Sequence, residues 1–254
     1  MALCDVHFKS LVLMKQVGMY VILPEVGQPP YRTFYLLHGL SDDYTIWQRR
    51  TRIESYVQNL PLMVVMPDGL RGFYTDNAAG PAYGRYISEE IVGFVERNFP
   101  AKRESSSRFI GGLSMGGYGA VRLALQHPEI FSSASSHSGA FMRGPITVSN
   151  ESPDRFSNFP EEMLQIFGPH PHGSAHDVLA LAQRAKTANA VPRLYFDCGT
   201  DDYLLEANRA LHRELTKMNI PHVYREFPGG HEWDYWDRHI QDALKFHLGE
   251  GMVE

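Results

Sequence analysis

The chain has 254 residues, of which 43% are hydrophobic and 21% are charged, an ordinary composition for a globular protein. Its net charge is -5 and it contains no long basic tract, so the charge pattern excludes nucleic acid as an expected partner. The two cysteines, Cys4 and Cys198, imply no disulfide framework, and no apolar run reaches the roughly 18 residues of a predicted membrane span.

Along the chain, short apolar runs bounded by Gly, Pro or Asp alternate with longer patterns of helical spacing. The runs predict strands at 8–13, 18–23, 34–37, 62–66, 109–110, 194–196 and 222–227. The longer patterns predict helices at 46–57, 87–95, 120–125, 204–218 and 233–244. Because strands alternate with helices, we expect an α/β fold over 1–254 with a mainly parallel sheet covered on both faces.

The stretch from 141 to 186 interrupts this alternation. It carries prolines at 145, 153, 160, 169 and 171 and only short helical hints. Ligands of open parallel sheets bind outside the carboxyl ends of the strands. We therefore interpret residues 141–186 as a cap-like insertion that shapes a pocket at those ends, within a single domain.

A serine stands between glycines at the end of one predicted strand. Gly112, Ser114 and Gly116 form a Gly-x-Ser-x-Gly pattern, with the strand at 109–110 before it and the helix at 120–125 after it. In this context the serine occupies a tight strand-to-helix turn and presents its hydroxyl at the positive end of the helix. We predict Ser114 as a nucleophile. The alternative is a glycine-rich turn with an incidental serine.

A serine nucleophile needs a base and an acid that orients the base. In folds that carry the serine on a Gly-x-Ser-x-Gly turn between strand and helix, the chain order is Ser, then Asp or Glu, then His. Asp197, Asp201 and Asp202 all follow the predicted strand at 194–196. We favour Asp202 as the orienting acid and assign Asp201 to capping or to the surface. His231 follows the last predicted strand and two glycines and precedes the last helix, so we predict it as the general base.

Two backbone N–H groups are expected to hold the oxyanion that forms during acyl transfer. One belongs to Met115, directly after the nucleophile. The other belongs to Leu40, which follows an early strand and a His-Gly dipeptide. Trp233 and Phe141 are candidate substrate-binding aromatics, with core packing as the alternative.

A group of potential metal ligands stands in the predicted insertion. His170, His172, His176 and Asp177 lie close together in sequence, but they lack the regular ligand spacing of a known metal site. We therefore expect no bound metal.

Several segments together resemble one known family. They are Leu37-His38-Gly39-Leu40-Ser41-Asp42, Pro67-Asp68-Gly69, Phe73-Tyr74-Thr75-Asp76, Gly112-Leu113-Ser114-Met115-Gly116-Gly117, Cys198-Gly199-Thr200-Asp201-Asp202 and Gly230-His231. They resemble the esterase D superfamily and, within it, the tributyrin-esterase group, which is related to S-formylglutathione hydrolases and feruloyl esterases. The resemblance covers nearly the whole chain and is weakest across 141–186.

The resemblance implies an α/β-hydrolase fold, a triad at Ser114, Asp202 and His231, no cofactor, and assembly into dimers or tetramers. We accordingly predict a serine carboxylesterase acting on small, short-chain acyl esters. The alternatives are a thioesterase of the S-formylglutathione hydrolase kind, a feruloyl or acetyl esterase, an acyltransferase, or a non-catalytic binding protein on the same fold. Residues 1–10 lack the apolar stretch of a secretory signal, so we expect a cytoplasmic protein.

Overall fold

The computed structural model describes residues 1–141 and 159–249. Within these ranges eight strands form one sheet: β1 (Ala2–Ser10), β2 (Lys15–Leu23), β3 (Arg32–Leu37), β4 (Leu62–Pro67), β5 (Arg108–Leu113), β6 (Ser133–His137), β7 (Arg193–Gly199) and β8 (Val223–Phe227). Their spatial order is β1-β2-β4-β3-β5-β6-β7-β8. Strand β2 is antiparallel to both of its neighbours, and the remaining pairs are parallel. The predicted mainly parallel sheet is confirmed.

The helices in the described ranges are α1 (Ile46–Arg50), α2 (Ile53–Val57), α3 (Tyr83–Arg85), α4 (Val92–Asn98), α5 (Met115–Gln126), α6 (Phe159–Phe167), α7 (Val178–Thr187), α8 (Leu205–Lys217) and α9 (Trp233–Leu248). A π-helical turn, Tyr86–Ile91, joins α3 to α4. In this described part of the chain, no helix combines the length and the apolar character that crossing a membrane requires.

The single helix predicted over 46–57 is wrong, because the chain forms two short helices there. Thr51 ends α1 in an extended conformation, with φ -132° and ψ 170°. Its hydroxyl donates to the Trp47 carbonyl at 2.5 Å and accepts the Ile53 N–H at 3.3 Å. A threonine side chain that bonds to nearby backbone groups competes with the helical ladder, and this explains the break.

Strand β6 has no counterpart among the predicted strands. Its sequence, Ser-Ala-Ser-Ser-His, is mostly polar, yet every residue of it is buried. It lies between β5 and β7, so the sheet itself buries its backbone on both sides. Hydrophobic patterning therefore gave no signal for a strand that tertiary structure places in the centre of the sheet.

Helices cover both faces of the sheet, as predicted. Successive residues of β3 face opposite sides: Tyr35 and Leu37 belong to one apolar core, and Phe34 and Leu36 to the other. The first core includes α5, whose residues 115–125 are all buried. The second core includes the buried apolar residues of α1, α2 and α9.

The predicted insertion over 141–186 lies partly outside the described residues, which resume at 159. Within the described part, α6 and α7 follow each other. Helix α7 packs against α5, and its residues Val178, Leu181, Ala182 and Ala185 are buried in the first core. The single-domain organisation and the cap-like role of this insertion remain proposals.

The parallel strands β3, β5, β7 and β8 run in the same direction, so the loops that follow them meet at one edge of the sheet. These loops contain Leu40, Ser114, Asp202 and His231. The fold thereby collects at one edge residues that are far apart in sequence.

Candidate active site

Ser114 occupies a strained turn between β5 and α5. Its φ of 52° and ψ of -115° are unusual for a residue with a side chain, and such conformations store about 1–3 kcal/mol of strain. A Cβ on Gly112 would lie 2.6 Å from the Leu37 carbonyl oxygen, and a Cβ on Gly116 would lie 2.5 Å from the same atom. Since backbone atoms at that range cannot move aside, the turn requires glycine at both positions.

The backbone of Ser114 is held by hydrogen bonds on both sides. Its N–H donates to the His137 carbonyl at 2.9 Å, and its own carbonyl accepts the N–H groups of Tyr118 and Ala140, each at 3.0 Å. The residue is only 8% exposed. The hydroxyl position is therefore determined by the rigid turn rather than by a mobile loop.

The structure brings together the three residues predicted as nucleophile, base and acid. The Ser114 Oγ lies 3.1 Å from Nε2 of His231. The other ring nitrogen, Nδ1, lies 2.9 Å and 3.1 Å from the two carboxylate oxygens of Asp202. A carboxylate can only accept, so Nδ1 carries the proton and Nε2 faces the serine with a free lone pair. This arrangement suits removal of the serine proton.

The other two aspartates considered for the acid role lie elsewhere. Asp197 is fully buried in β7 and bonds to His137 at 2.8 Å. Asp201 is exposed on the loop, where its N–H donates to the Gly229 carbonyl at 2.9 Å. Asp201 thus has the surface position that was one of its two expected roles, and no side chain among the described residues caps the N-terminus of α8. Oδ1 of Asp202 accepts the Leu204 N–H at 2.8 Å in the turn before that helix.

The electrostatic environment keeps Asp202 ionised. Burial alone raises the pKa of its carboxyl group, but the hydrogen bond from His231 and the favourable electrostatic interaction with that ring lower it. Hydrogen bonds from the Ser138 hydroxyl and the Leu204 N–H add to that lowering, and the resulting pKa lies below its ordinary value. The carboxylate is therefore charged at neutral pH, and its pairing with His231 is lost only as the pH falls through that lowered pKa.

Two aromatic rings pack against the imidazole of His231, and the first of them, Tyr203, was not among the residues singled out from the sequence. The Tyr203 ring lies 4.6 Å from it between centroids, and this tyrosine is 75% exposed. On another side, Trp236 presents itself edge-on at 4.9 Å, and its indole N–H donates to the Ser138 hydroxyl at 3.2 Å. For Tyr203 a signal existed, since it directly follows Asp202 in sequence.

The two aromatics predicted to bind substrate occupy different environments. Trp233 is half-buried and packs edge-on against Trp236 at 5.2 Å and against Trp47 at 5.4 Å. Phe141 is 7% exposed and packs edge-on against Phe196 of β7 at 5.8 Å. Substrate contact by Trp233 and Phe141 stays a prediction.

Hydrogen bonds hold the loop that carries Leu40 in place. The His38 ring donates from Nδ1 to the Gly39 carbonyl at 2.8 Å and accepts the Gly69 N–H on Nε2 at 2.9 Å. The hydroxyl of Tyr74 donates to the His38 carbonyl at 3.0 Å. On the opposite side, Met115 is the first residue of α5, where backbone N–H groups have no partner within the helix.

A cleft of about 540 Å³ opens beside this loop. Arg71, which lines the cleft, forms a two-point ion pair with Glu162, with N···O distances of 2.7 Å and 2.6 Å. The same guanidinium donates to the Ser41 hydroxyl at 2.8 Å. Ser114, Asp202 and His231 are not among the residues that line this cleft.

The histidines considered as metal ligands do not form a cluster. The described ranges hold no group of three His, Cys, Asp or Glu side chains arranged to bind a metal ion. His176 instead bonds through Nδ1 to the Thr75 hydroxyl at 2.8 Å. Asp177 caps α7 by accepting the N–H groups of Leu179 and Ala180.

The sequence and the fold are similar to those of known proteins. The chain matches the family model Esterase, described as "Putative esterase", over residues 10–247. It is 31% identical to an acetyl esterase of Caldicellulosiruptor saccharolyticus over 261 aligned positions, which cover 97% of this chain and 98% of that protein.

Two solved structures from Staphylococcus aureus are also similar. FphF, a fluorophosphonate-binding serine hydrolase with bound substrate, has a TM-score of 0.87 and 30% identity, covering 98% of this chain and 99% of that one. The S-formylglutathione hydrolase FrmB has a TM-score of 0.85 and 30% identity over the same shares of the two chains. The predicted α/β-hydrolase fold is thereby confirmed.

Proposed function

Because this chain belongs to the Esterase family, we propose that it is a serine carboxylesterase that hydrolyses short-chain acyl esters through Ser114, His231 and Asp202. That it is an esterase follows from the family match, the acetyl esterase relative and the serine hydrolase structures. The observation that carries the residue assignment is the unbroken row of hydrogen bonds from the Ser114 hydroxyl through the imidazole to the Asp202 carboxylate.

The proposed reaction has two halves. The Ser114 oxygen attacks the ester carbonyl while Nε2 of His231 takes the hydroxyl proton, and the resulting oxyanion accepts the N–H groups of Leu40 and Met115. The imidazolium then protonates the leaving alcohol, and an acyl-enzyme remains. In the second half water attacks this ester while Nε2 of His231 takes a proton from it. The bond between the acyl carbon and the Ser114 oxygen then breaks, the carboxylic acid leaves, and His231 returns the proton to the serine oxygen.

A short-chain preference is expected from the similarity to an acetyl esterase. We expect kcat/KM for p-nitrophenyl acetate and butyrate to exceed that for the dodecanoate at least about tenfold, since each methylene that a pocket rejects changes the barrier by about 1–3 kcal/mol. The measurement is initial rates across a series of acyl lengths, with the Ser114→Ala variant as the blank. A kcat/KM that climbs steadily to the dodecanoate would contradict the short-chain proposal.

A thioesterase is the second candidate, favoured by the similarity to the S-formylglutathione hydrolase FrmB. Both chemistries use the same nucleophile, so only substrate comparison separates them. Measuring kcat/KM for S-formylglutathione beside p-nitrophenyl acetate decides between the two. Product analysis with an added acceptor alcohol separates an acyltransferase from both, because that enzyme forms a new ester.

Tyr203 is expected to contact bound substrate, because its exposed ring lies beside the base at the open side of the site. Loss of an aromatic contact is worth about 0.5–1.5 kcal/mol. Tyr203→Ala should therefore raise KM for p-nitrophenyl acetate by about three- to tenfold and change kcat less. Tyr203→Phe is the matched control that keeps the ring. Equal KM values for the Ala and Phe variants would show that the Tyr203 ring does not contact the substrate.

Four further features stay predictions: substrate contact by Trp233 and Phe141, the cap-like insertion at 141–186, assembly into a dimer or tetramer, and a cytoplasmic location. The small acyl ester remains the proposed partner.

A further inference from the structure

A second histidine–aspartate pair lies buried beneath the proposed triad. Nδ1 of His137, the last residue of β6, lies 2.8 Å from Oδ2 of Asp197 in β7, and both side chains are fully buried. The hydroxyl of Tyr235 donates to the other carboxylate oxygen of Asp197 at 3.0 Å. Burying such groups is expensive unless they are paired. The proposed reaction uses none of these three side chains, so their presence needs another explanation.

The backbone of the same pair supports the nucleophile and the acid. The His137 carbonyl accepts the Ser114 N–H at 2.9 Å, and the Asp197 carbonyl accepts the Ser138 N–H at 2.8 Å. The same strand as Asp197 also holds the acid, because the Gly199 carbonyl at the end of β7 accepts the Asp202 N–H at 3.2 Å. Since β6 lies between β5 and β7, a shift of its end would displace both the nucleophile and the acid.

Tyr235, the third member of this cluster, connects the pair to the segment that carries the base. Tyr235 lies in the first turn of α9, shortly after His231. Gly229, in the loop that leads to His231, packs closely on the Tyr235 ring, where an added Cβ would lie 2.8 Å from a ring carbon. The hydrogen bond from Tyr235 to Asp197 therefore connects β7 to the segment that carries the imidazole.

We propose that His137, Asp197 and Tyr235 form a positioning network that sets the spacing of the Ser114, His231 and Asp202 side chains. This inference rests on the proposed function of those three residues. The network touches neither substrate nor reacting atoms and acts through the backbone supports of all three. Because misplacing reacting groups by about 1 Å changes rates by up to about 100-fold, a modest disturbance of this network should be visible in kcat.

The test compares His137→Leu, His137→Asn and Tyr235→Phe with the wild type. The rate is kcat for p-nitrophenyl acetate divided by the fraction of protein whose Ser114 reacts with a fluorophosphonate probe, so unfolded protein does not count. We expect His137→Leu to lower this rate by about 10- to 50-fold and Tyr235→Phe by about three- to tenfold, with KM changed less than about twofold. His137→Asn keeps an N–H donor for Asp197 and should recover most of the loss.

A matched control lies on the same strand and helix but away from the triad. Ser133, at the far end of β6, bonds to Nδ1 of the buried His247 in α9 at 2.7 Å. Ser133→Ala should lower the melting temperature and leave the rate per labelled serine within about twofold of wild type. This control separates general loss of stability from loss of positioning.

The outcomes are distinguishable. If Tyr235→Phe and every folded His137 variant lower the melting temperature but keep the rate per labelled serine, the network only stabilises the fold and the inference fails. Tyr235→Phe decides the matter if His137→Leu does not fold. If Ser114 in the wild type is not labelled at all while hydrolysis proceeds, the proposed function fails instead.

Discussion

Replacing Ser114 by Ala is expected to lower kcat for p-nitrophenyl acetate by about a millionfold, the size of loss seen when a triad serine is removed. The variant keeps the Cβ and the backbone of the strained turn and removes only the nucleophilic oxygen. Its melting temperature should therefore stay close to that of the wild type. The measurement is initial rates at enzyme concentrations high enough to detect a residual rate, together with thermal unfolding.

Ser107 is the matched control for this variant. It lies just before β5, at the opposite end of the strand from Ser114, and its 7% exposure is close to the 8% of Ser114. Ser107→Ala should retain wild-type kcat and label normally with a fluorophosphonate probe. A Ser114→Ala variant with more than about a tenth of wild-type turnover would overturn the nucleophile assignment, since loss of a true nucleophile is far larger.

Replacing Asp202 by Asn is expected to lower kcat by about 10⁴-fold through a change of histidine tautomer. The Leu204 N–H donates to Oδ1 of Asp202, so the amide oxygen of the variant should keep that bond and turn its NH₂ group toward His231. An NH₂ group donates to Nδ1 and forces the ring proton onto Nε2, which then faces Ser114 without a lone pair. His231 then cannot take the Ser114 proton, although its ring keeps its position beside the serine.

Asp201→Asn is the control for this second prediction, because it makes the same chemical change one residue earlier on an exposed side chain. It should keep kcat within about twofold of wild type, as expected for a surface substitution. The measurement is kcat and KM for both variants at neutral pH. A large loss in Asp201→Asn with normal turnover in Asp202→Asn would reverse the assignment of the orienting acid.

The parts of the fold that sequence predicted well are those with local signals. The apolar runs at 34–37 and 62–66 lie within β3 and β4, and the helical pattern at 233–244 lies within α9. Such patterns work because one face or both faces of the element must be buried. Strand β6 was missed because its neighbours, not its own side chains, exclude water from it.

The residues of the site likewise fall into those that a local sequence signal predicted and those that it did not. The glycines at 112 and 116 indicated a tight turn, and this local requirement is visible in the structure as contact with the Leu37 carbonyl. Tyr203 and the buried pair of His137 and Asp197 escaped prediction. Their significance depends on which side chains they face, and residue spacing along the chain carries no such information.

The sequence by itself therefore determined the α/β class, the turn at Ser114 and the positions of Asp202 and His231 after successive strands. Only the tertiary structure decided which aspartate faces His231, which rings surround the imidazole, and what lies beneath it. The physical reason is the separation in sequence between the residues that interact. Strand, turn and helix patterns arise from neighbours a few residues apart, whereas the hydrogen bonds of the site join residues 29 and 117 positions apart and form only when the whole sheet assembles.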